Sequence, residues 1–117
     1  MNDVNYVALS GTIISPIELK ITRIGRIPVV DFDLCVGRVG MEDDIIPCSA
    51  TRSLAIEMSR TLKKDQRIQL KGALHHHKYK DKNGFEHTRI TVGVENYCIE
   101  EGKPKPDISA LAMANFL

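Results

Sequence analysis

The 117-residue sequence has no tryptophan, only three cysteines and no long apolar run. Cys35, Cys48 and Cys98 are odd in number and widely spaced, and none belongs to a Cys-x-x-Cys pair. This argues against a zinc site or a disulfide framework and predicts reduced thiols that pack as small apolar side chains. No apolar stretch approaches the roughly 20 residues that cross a bilayer, and the N-terminus lacks the basic segment that opens a signal peptide. We therefore expect a cytoplasmic protein with no membrane contact.

The motifs of the common catalytic sites are also missing. The sequence contains no phosphate-binding P-loop, no nucleophile elbow and no cluster of carboxylates at metal-binding spacing. Glu42, Asp43 and Asp44 are consecutive, fall in a predicted loop and are interpreted as a solvated turn rather than a two-metal site. We expect no enzymatic activity, no cofactor and no bound metal.

Charge is nearly balanced overall but uneven along the chain. The formal net charge is only +1. Between Arg60 and Arg89, however, nine basic residues face three acidic ones, a local excess of six positive charges. Such an excess is a plausible footprint for a polyanion, although a run of charge is more commonly a solvated surface.

Apolar and polar residues alternate over residues 7–13, 30–36, 68–75 and 90–95. This period of two predicts four strands with one buried face each, in which Leu70, Gly72 and Leu74 point inward. A shorter fifth strand covers residues 45–50, and its Pro47 lacks a ladder donor, which suggests an edge or a bulge at that point.

Residues 53–64 break this pattern. Leu54, Met58 and Leu62 follow one another at a spacing of four, which predicts one amphipathic helix. No glycine follows it, so we expect Asp65 or Gln66 to take the left-handed conformation that ends many helices.

The order is therefore three strands, one helix and two strands. This order predicts an all-β fold, a five-stranded OB-fold β-barrel with one helix between strands three and four. Gly11, Gly72 and Gly93 lie inside strands, where they suit the strong coiling of a small closed barrel. The domain is expected to cover residues 1–100, followed by a polar linker and a short C-terminal tail over residues 101–117.

The last two strands are joined by a basic tip. Its Asn-Gly pair, residues 83–84, predicts a two-residue type I′ hairpin turn. Lys78, Lys80 and Lys82 alternate along the tip, with Tyr79 among them. A ring beside ammonium groups offers stacking and phosphate contacts to an unpaired nucleic-acid strand. Alternatively, the lysines merely discourage edge-to-edge aggregation, and Tyr79 packs against Phe85 across the hairpin.

Three consecutive histidines precede this tip. Alternation places His75 and His77 on the same outer face as Lys71 and Tyr79, with His76 on the other face. A metal site would need further ligands at tetrahedral spacing. We therefore interpret His75 and His77 as candidate contacts to bases or phosphates.

Several segments together resemble the bacterial single-stranded-DNA-binding protein family. Their order and spacing match that family from about Asn5 to Ile99. The segments are Val7–Thr12, Gly25–Val36, Asp44–Cys48, Ser53–Ala55, Leu62–Ile68, Leu70–Leu74, Lys78–Gly84 and Thr91–Asn96. The resemblance implies an OB-fold that oligomerises, usually as a tetramer, and binds unpaired DNA without sequence preference. It further implies a nucleoid-associated role in DNA replication, recombination or repair, with replication or primosome proteins as candidate partners.

The sequence departs from this family in its aromatic residues and its C-terminus. It has six aromatic residues in all. Tyr79 stands where the family places a stacking aromatic on the hairpin, but Gly40, Ile45 and Thr51 stand near the other expected positions. Asp31 and Asp33 add negative charge to the second strand, and the acidic C-terminal tip that recruits replication and repair enzymes is missing.

These departures leave two alternatives open. The short chain is also similar to primosomal replication protein N, whose OB-fold dimers bind single strands mainly through lysines. Alternatively, the chain is an OB-fold protein that became a protein-interaction or assembly subunit and lost strong DNA binding.

Two groups of residues follow as candidates. The outer positions of the first strand are uncharged and are expected to pair with a second copy in a homo-oligomer, tetramer favoured and dimer possible. These positions are Tyr6, Ala8, Ser10 and Thr12. The candidate DNA contacts are Arg23, Arg26, Arg38, Lys71, His75, His77, Lys78, Tyr79, Lys80, Lys82 and Arg89.

Overall fold

The computed structural model of the protein describes residues 3–100. The predicted linker and tail at residues 101–117 lie outside this range. The described residues form six strands and one helix. Their bounds are β1 Val7–Ile13, β2 Leu19–Ile21, β3 Pro28–Val36, β4 Asp44–Thr51, α1 Arg52–Thr61, β5 Arg67–Lys80 and β6 Glu86–Ile99.

All six strands belong to one sheet, in the order β1-β5-β6-β4-β3-β2. An additional pairing of β1 with β3 joins the five long strands into a ring, to which β2 is attached through β3. The prediction of five strands is wrong by this one short strand. All three residues of β2 are exposed, so the alternation of Leu19, Lys20 and Ile21 does not mark a buried face.

Close approach of β1 to β3 depends on Gly11. A Cβ atom at Gly11 would collide with the backbone carbonyl of Cys35. The missing side chain therefore lets β1 cross β3 at Thr12 and Ile13, where their pairing closes the ring. A glycine inside a strand is typical of such a close approach between two backbones.

The helix covers one end of the core. Met58 is fully buried, Leu62 is nearly so, and Leu54 is partly buried against them, as the spacing of four predicts. The helix ends at Thr61, three residues earlier than expected. The chain turns here because the backbone of residues 65–66 bonds to Ile13: Asp65 N–H donates to the Ile13 carbonyl at 2.7 Å, and Ile13 N–H donates to the Gln66 carbonyl at 2.9 Å. Asp65 is left-handed, with φ +74°, but it lies in the turn that follows the helix, whereas Leu62, the residue that ends the helix, is extended.

Strands β5 and β6 extend beyond the neighbouring strands and form a projecting hairpin. β1 pairs with β5 only as far as Gly72, and β4 pairs with β6 only at Val92 and Gly93. Residues 75–91 therefore pair only with one another, and we call this two-stranded segment the arm. Just before β1 begins, the Asn5 side chain exchanges two hydrogen bonds with the backbone of Leu74, both 2.9 Å long.

Leu74 was expected to point into the core, and this prediction is wrong. Its side chain is 47% exposed. Leu74 does share a face with buried Val92, its cross-strand partner, but it lies where the hairpin leaves the core. Polar and apolar residues still alternate at this point of the strand, but no other element of the described residues covers the apolar face there.

Candidate nucleic-acid interface

The tip of the arm is a three-residue loop rather than the predicted type I′ turn. Asp81 N–H donates to the Phe85 carbonyl and Gly84 N–H donates to the Asp81 carbonyl, each at 3.0 Å. Gly84 has φ +82°, whereas Asn83 is not among the residues with positive φ. A type I′ turn needs positive φ at both central residues, but a three-residue loop needs only one left-handed residue, commonly glycine.

The Asp81 carboxylate explains why this loop forms. Its Oδ1 atom accepts hydrogen bonds from the backbone N–H groups of Asn83 at 2.9 Å and Phe85 at 3.0 Å. An aspartate that binds the backbone two residues ahead favours such a turn. Its other oxygen, Oδ2, accepts a hydrogen bond of 2.7 Å from Nε2 of His87. The bond from His87 and those from the backbone hold the pKa of Asp81 below its usual range.

Tyr79 stacks on His87. The two ring centroids are 5.3 Å apart and the ring planes differ by 23°. Cross-strand pairing of Tyr79 with His87 brings the rings onto one face of the arm. Packing of Tyr79 against Phe85, the alternative interpretation, is therefore wrong, and Phe85 is 67% exposed. Tyr79 itself remains 51% exposed, so part of its ring is available to a ligand.

His75 and His77 lie on the same face as Tyr79, as alternation predicts. Nε2 of His77 is 3.0 Å from Oγ1 of Thr91, which is buried. The His75 ring lies over Gly93, where a Cβ atom would collide with it. Both imidazoles are therefore held against the sheet. They line a shallow groove that continues onto β4 at Ser49 and Thr51.

The arm has two chemically different faces. We call the first the ring face; its members are His75, His77, Tyr79, His87 and Arg89. The second, the lysine face, carries His76, Lys78, Lys80, Glu86, Thr88 and Ile90. Side chains alternate between the faces of a strand, so the lysines next to Tyr79 in sequence project to the side opposite its ring. Lys82 lies in the tip loop, between the two strands.

The remaining candidate cations lie away from the ring face. Lys71 lines a separate groove beside β1, together with Ala8, Ser10 and Asn96. Arg38 is exposed and forms an ion pair with Asp44 at 3.6 Å. Arg23 and Arg26 lie in the exposed loop between β2 and β3. The candidate DNA contacts between His75 and Arg89 therefore lie together on the arm, whereas Lys71, Arg38, Arg23 and Arg26 lie at separate places.

The outer surface of β3 and β4 offers no ring for stacking. Asp31 and Asp33 lie on it, opposite Ser49 and Pro47. Its other outward positions are Val29, Cys35, Ile45 and Thr51, none of them aromatic. A strand crossing this surface would meet two carboxylates and no aromatic side chain, so the arm is the more favourable place for stacking.

Sequence reasoning missed His87 and Asp81 as parts of this site. Asp81 stands two residues before Asn83, a spacing typical of aspartate-stabilised turns, and could have been found. His87 could not, because its contact with Tyr79 depends on the register of the hairpin. A type I′ turn at residues 83–84 would have placed Thr88 opposite Tyr79.

The predicted oligomer surface on β1 is partly open. β1 pairs with β3 only at Thr12 and Ile13, so residues 7–11 have one unpaired backbone edge within the described part of the chain. This surface is not free of charge throughout. Ser10 Oγ donates to the Glu100 carboxylate at 2.8 Å, and Arg67 donates to the same carboxylate at 3.1 Å. Lys71, the cross-strand partner of Ala8, adds a further charge beside this edge.

Comparison with known proteins gives the family. No curated protein is found to match the chain. Among residues 3–100, no helix is long and apolar enough to cross a membrane, and no group of three or more potential ligands could hold a metal ion. The family described as the single-strand binding protein family matches residues 4–99, a range that includes every strand, the helix and the arm. The chain therefore belongs to the single-strand binding protein family.

Proposed function

We propose that this protein binds single-stranded DNA without sequence preference, and that it does so in DNA replication, recombination or repair rather than as an enzyme. The proposal is supported by two facts: the chain belongs to the single-strand binding protein family, and its arm carries a half-exposed Tyr79 on one face and Lys78 and Lys80 on the other. Stacking on a ring is tolerant of sequence because every base has a π-face, while ammonium groups bind phosphates.

The proposal is tested by fluorescence anisotropy with a labelled oligo(dT), titrated over a range of salt concentrations. If about four to six phosphates contact each chain, the slope of log K against log salt should be about −3 to −4 on single strands. A mixed-sequence oligonucleotide should bind about as well as oligo(dT). A flat salt response, or tighter binding to duplex DNA than to oligo(dT), would contradict the proposal.

A second candidate is a dimer that binds single strands mainly through lysines, similar to primosomal replication protein N. The absence of aromatic side chains from the outer surface of β3 and β4 favours it. In that case Tyr79→Ala would bind oligo(dT) as well as the parent, whereas loss of Lys78 and Lys80 would abolish most of the binding. An assembly subunit without DNA-binding activity would show no binding at any salt concentration.

A further inference from the structure

We propose that His87 is a positioning residue for DNA binding: it forms the second ring of a two-ring platform with Tyr79, and Asp81 fixes this platform to the hairpin turn. This inference rests on the proposed single-stranded-DNA binding, since it names the side chains that would meet a base. Its central observation is a continuous series of contacts from the turn to the exposed ring.

The first contact in the series is ring to ring. Tyr79 and His87 stack with centroids 5.3 Å apart and planes within 23° of parallel. His87 therefore covers part of one face of Tyr79, while 51% of the Tyr79 side chain stays exposed. A base that stacks on the exposed side would continue an existing stack, and the tyrosine ring would not need to be immobilised at that moment.

The second contact ties His87 to the turn. Its Nε2 atom donates to Oδ2 of Asp81 at 2.7 Å. Oδ1 of Asp81 accepts from the N–H groups of Asn83 and Phe85, and the Asp81 backbone bonds to Gly84 and Phe85. Asp81 is therefore held at both its carboxylate and its backbone. Because His87 is bound to a fixed group, its ring orientation is restricted, and the orientation of Tyr79 with it.

Such restriction strengthens binding although His87 itself need not touch the ligand. An immobilised side chain has already lost the rotational freedom that binding would otherwise remove. His77 and Arg89 also lie on the ring face next to Tyr79, but the tyrosine ring stacks on His87, and Lys78 and Lys80 lie on the opposite face. His87 thus supplies the support that a packed core would give elsewhere.

The test uses three variants of His87 in the full chain, with binding to labelled oligo(dT) and thermal melting as measurements. His87→Ala removes the ring and should weaken binding about threefold to tenfold, because the tyrosine then stacks on a base without its supporting ring. His87→Phe keeps a ring but loses the bond that fixes it to Asp81, so it should bind about twofold to threefold more weakly than the parent and more tightly than His87→Ala. His87→Gln keeps a donor for Asp81 without the ring and should bind about as weakly as His87→Ala.

His76→Ala is the matched control, since His76 lies on the lysine face of the same strand pair, opposite Ile90. It should bind like the parent, and all four variants should melt at the parent temperature. In a Tyr79→Ala background, His87→Ala should cause no further loss, because a positioning residue acts only through the ring that it positions. A full loss in addition to that of Tyr79→Ala would overturn the proposal.

Two other results would also overturn it. One is unchanged binding by His87→Ala. The other is rescue by His87→Gln but not by His87→Phe, which would assign the effect to the hydrogen bond with Asp81 and not to the ring. If the parent protein itself fails to bind oligo(dT), the proposed function fails before any variant is compared, so the two failures are distinguishable.

Discussion

Replacing each face of the arm separately should separate stacking from charge. Tyr79 lies on the ring face, whereas Lys78 and Lys80 lie on the lysine face of the same two-stranded segment. We expect Tyr79→Ala to weaken oligo(dT) binding by about 1–3 kcal/mol, the usual contribution of one stacked base, with little change in the salt slope. The combined variant Lys78→Ala and Lys80→Ala should instead flatten the slope by about 1.4, or about 0.7 for each phosphate that is no longer neutralised.

The assay is anisotropy with labelled oligo(dT) at four or more salt concentrations for each variant. Lys64→Ala is a matched control for the loss of a lysine, because Lys64 is exposed and precedes the start of β5, while the arm tip follows its end. Fourteen residues of strand, a contour length of about 45 Å, lie between the two places. Tyr79→Phe is the control for the ring and should bind almost like the parent.

Stability should be nearly unaffected by these changes. All three arm side chains are exposed, and none belongs to the buried core. Melting temperatures therefore test whether a loss of binding reflects unfolding. If Tyr79→Ala flattened the salt slope as much as the lysine variant does, stacking and charge would not belong to separate faces. An equal loss of affinity at all salt concentrations in the lysine variant would likewise show that Lys78 and Lys80 do not neutralise phosphates.

Three further predictions concern the edge of β1, the thiols and the turn. Ala8→Glu places a charge on the open part of β1 and should dissociate the expected oligomer; light scattering that gives a monomer mass for the parent at micromolar concentration would contradict this. Burial raises the pKa of the Cys48 thiol to about 12, whereas Cys98 is exposed. Iodoacetamide at neutral pH should therefore modify Cys98 and leave Cys48 unmodified until the protein unfolds, which mass spectrometry can measure. Equal rates of modification at both thiols would contradict the buried position of Cys48. The pKa of Asp81 is lowered in the folded arm, so the stabilisation of the turn by its carboxylate is complete above the ordinary aspartate pKa of about 3.9 and is lost as pH falls through the folded value. The amide NMR shifts of Asn83 and Phe85 should therefore change with a midpoint below about pH 3.9. A higher midpoint would show that the carboxylate does not accept these two hydrogen bonds.

Local sequence patterns predicted most of the elements. Alternating polarity located the long strands, and the spacing of Leu54, Met58 and Leu62 located the helix, although its end was placed three residues too late. The Asn-Gly pair correctly located the hairpin at residues 83–84, although not its turn type. These features depend on neighbours within a few residues, so a linear pattern carries them.

The tertiary structure alone decided which side chains meet. The Asp81 carboxylate binds two backbone N–H groups of the tip, and the resulting three-residue loop places His87, rather than Thr88, opposite Tyr79. A change of one residue in loop length shifts the register and moves one strand's side chains to the other face, so the composition of the ring face could not be known beforehand. Likewise, Lys71 and His75 alternate onto one side of β5, yet the ring of strands brings Lys71 beside β1 and His75 beside β4. Periodicity determined the elements and their buried faces, because both arise from contacts along the chain; turn chemistry and ring closure determined the site, because its residues meet only through pairing between distant strands.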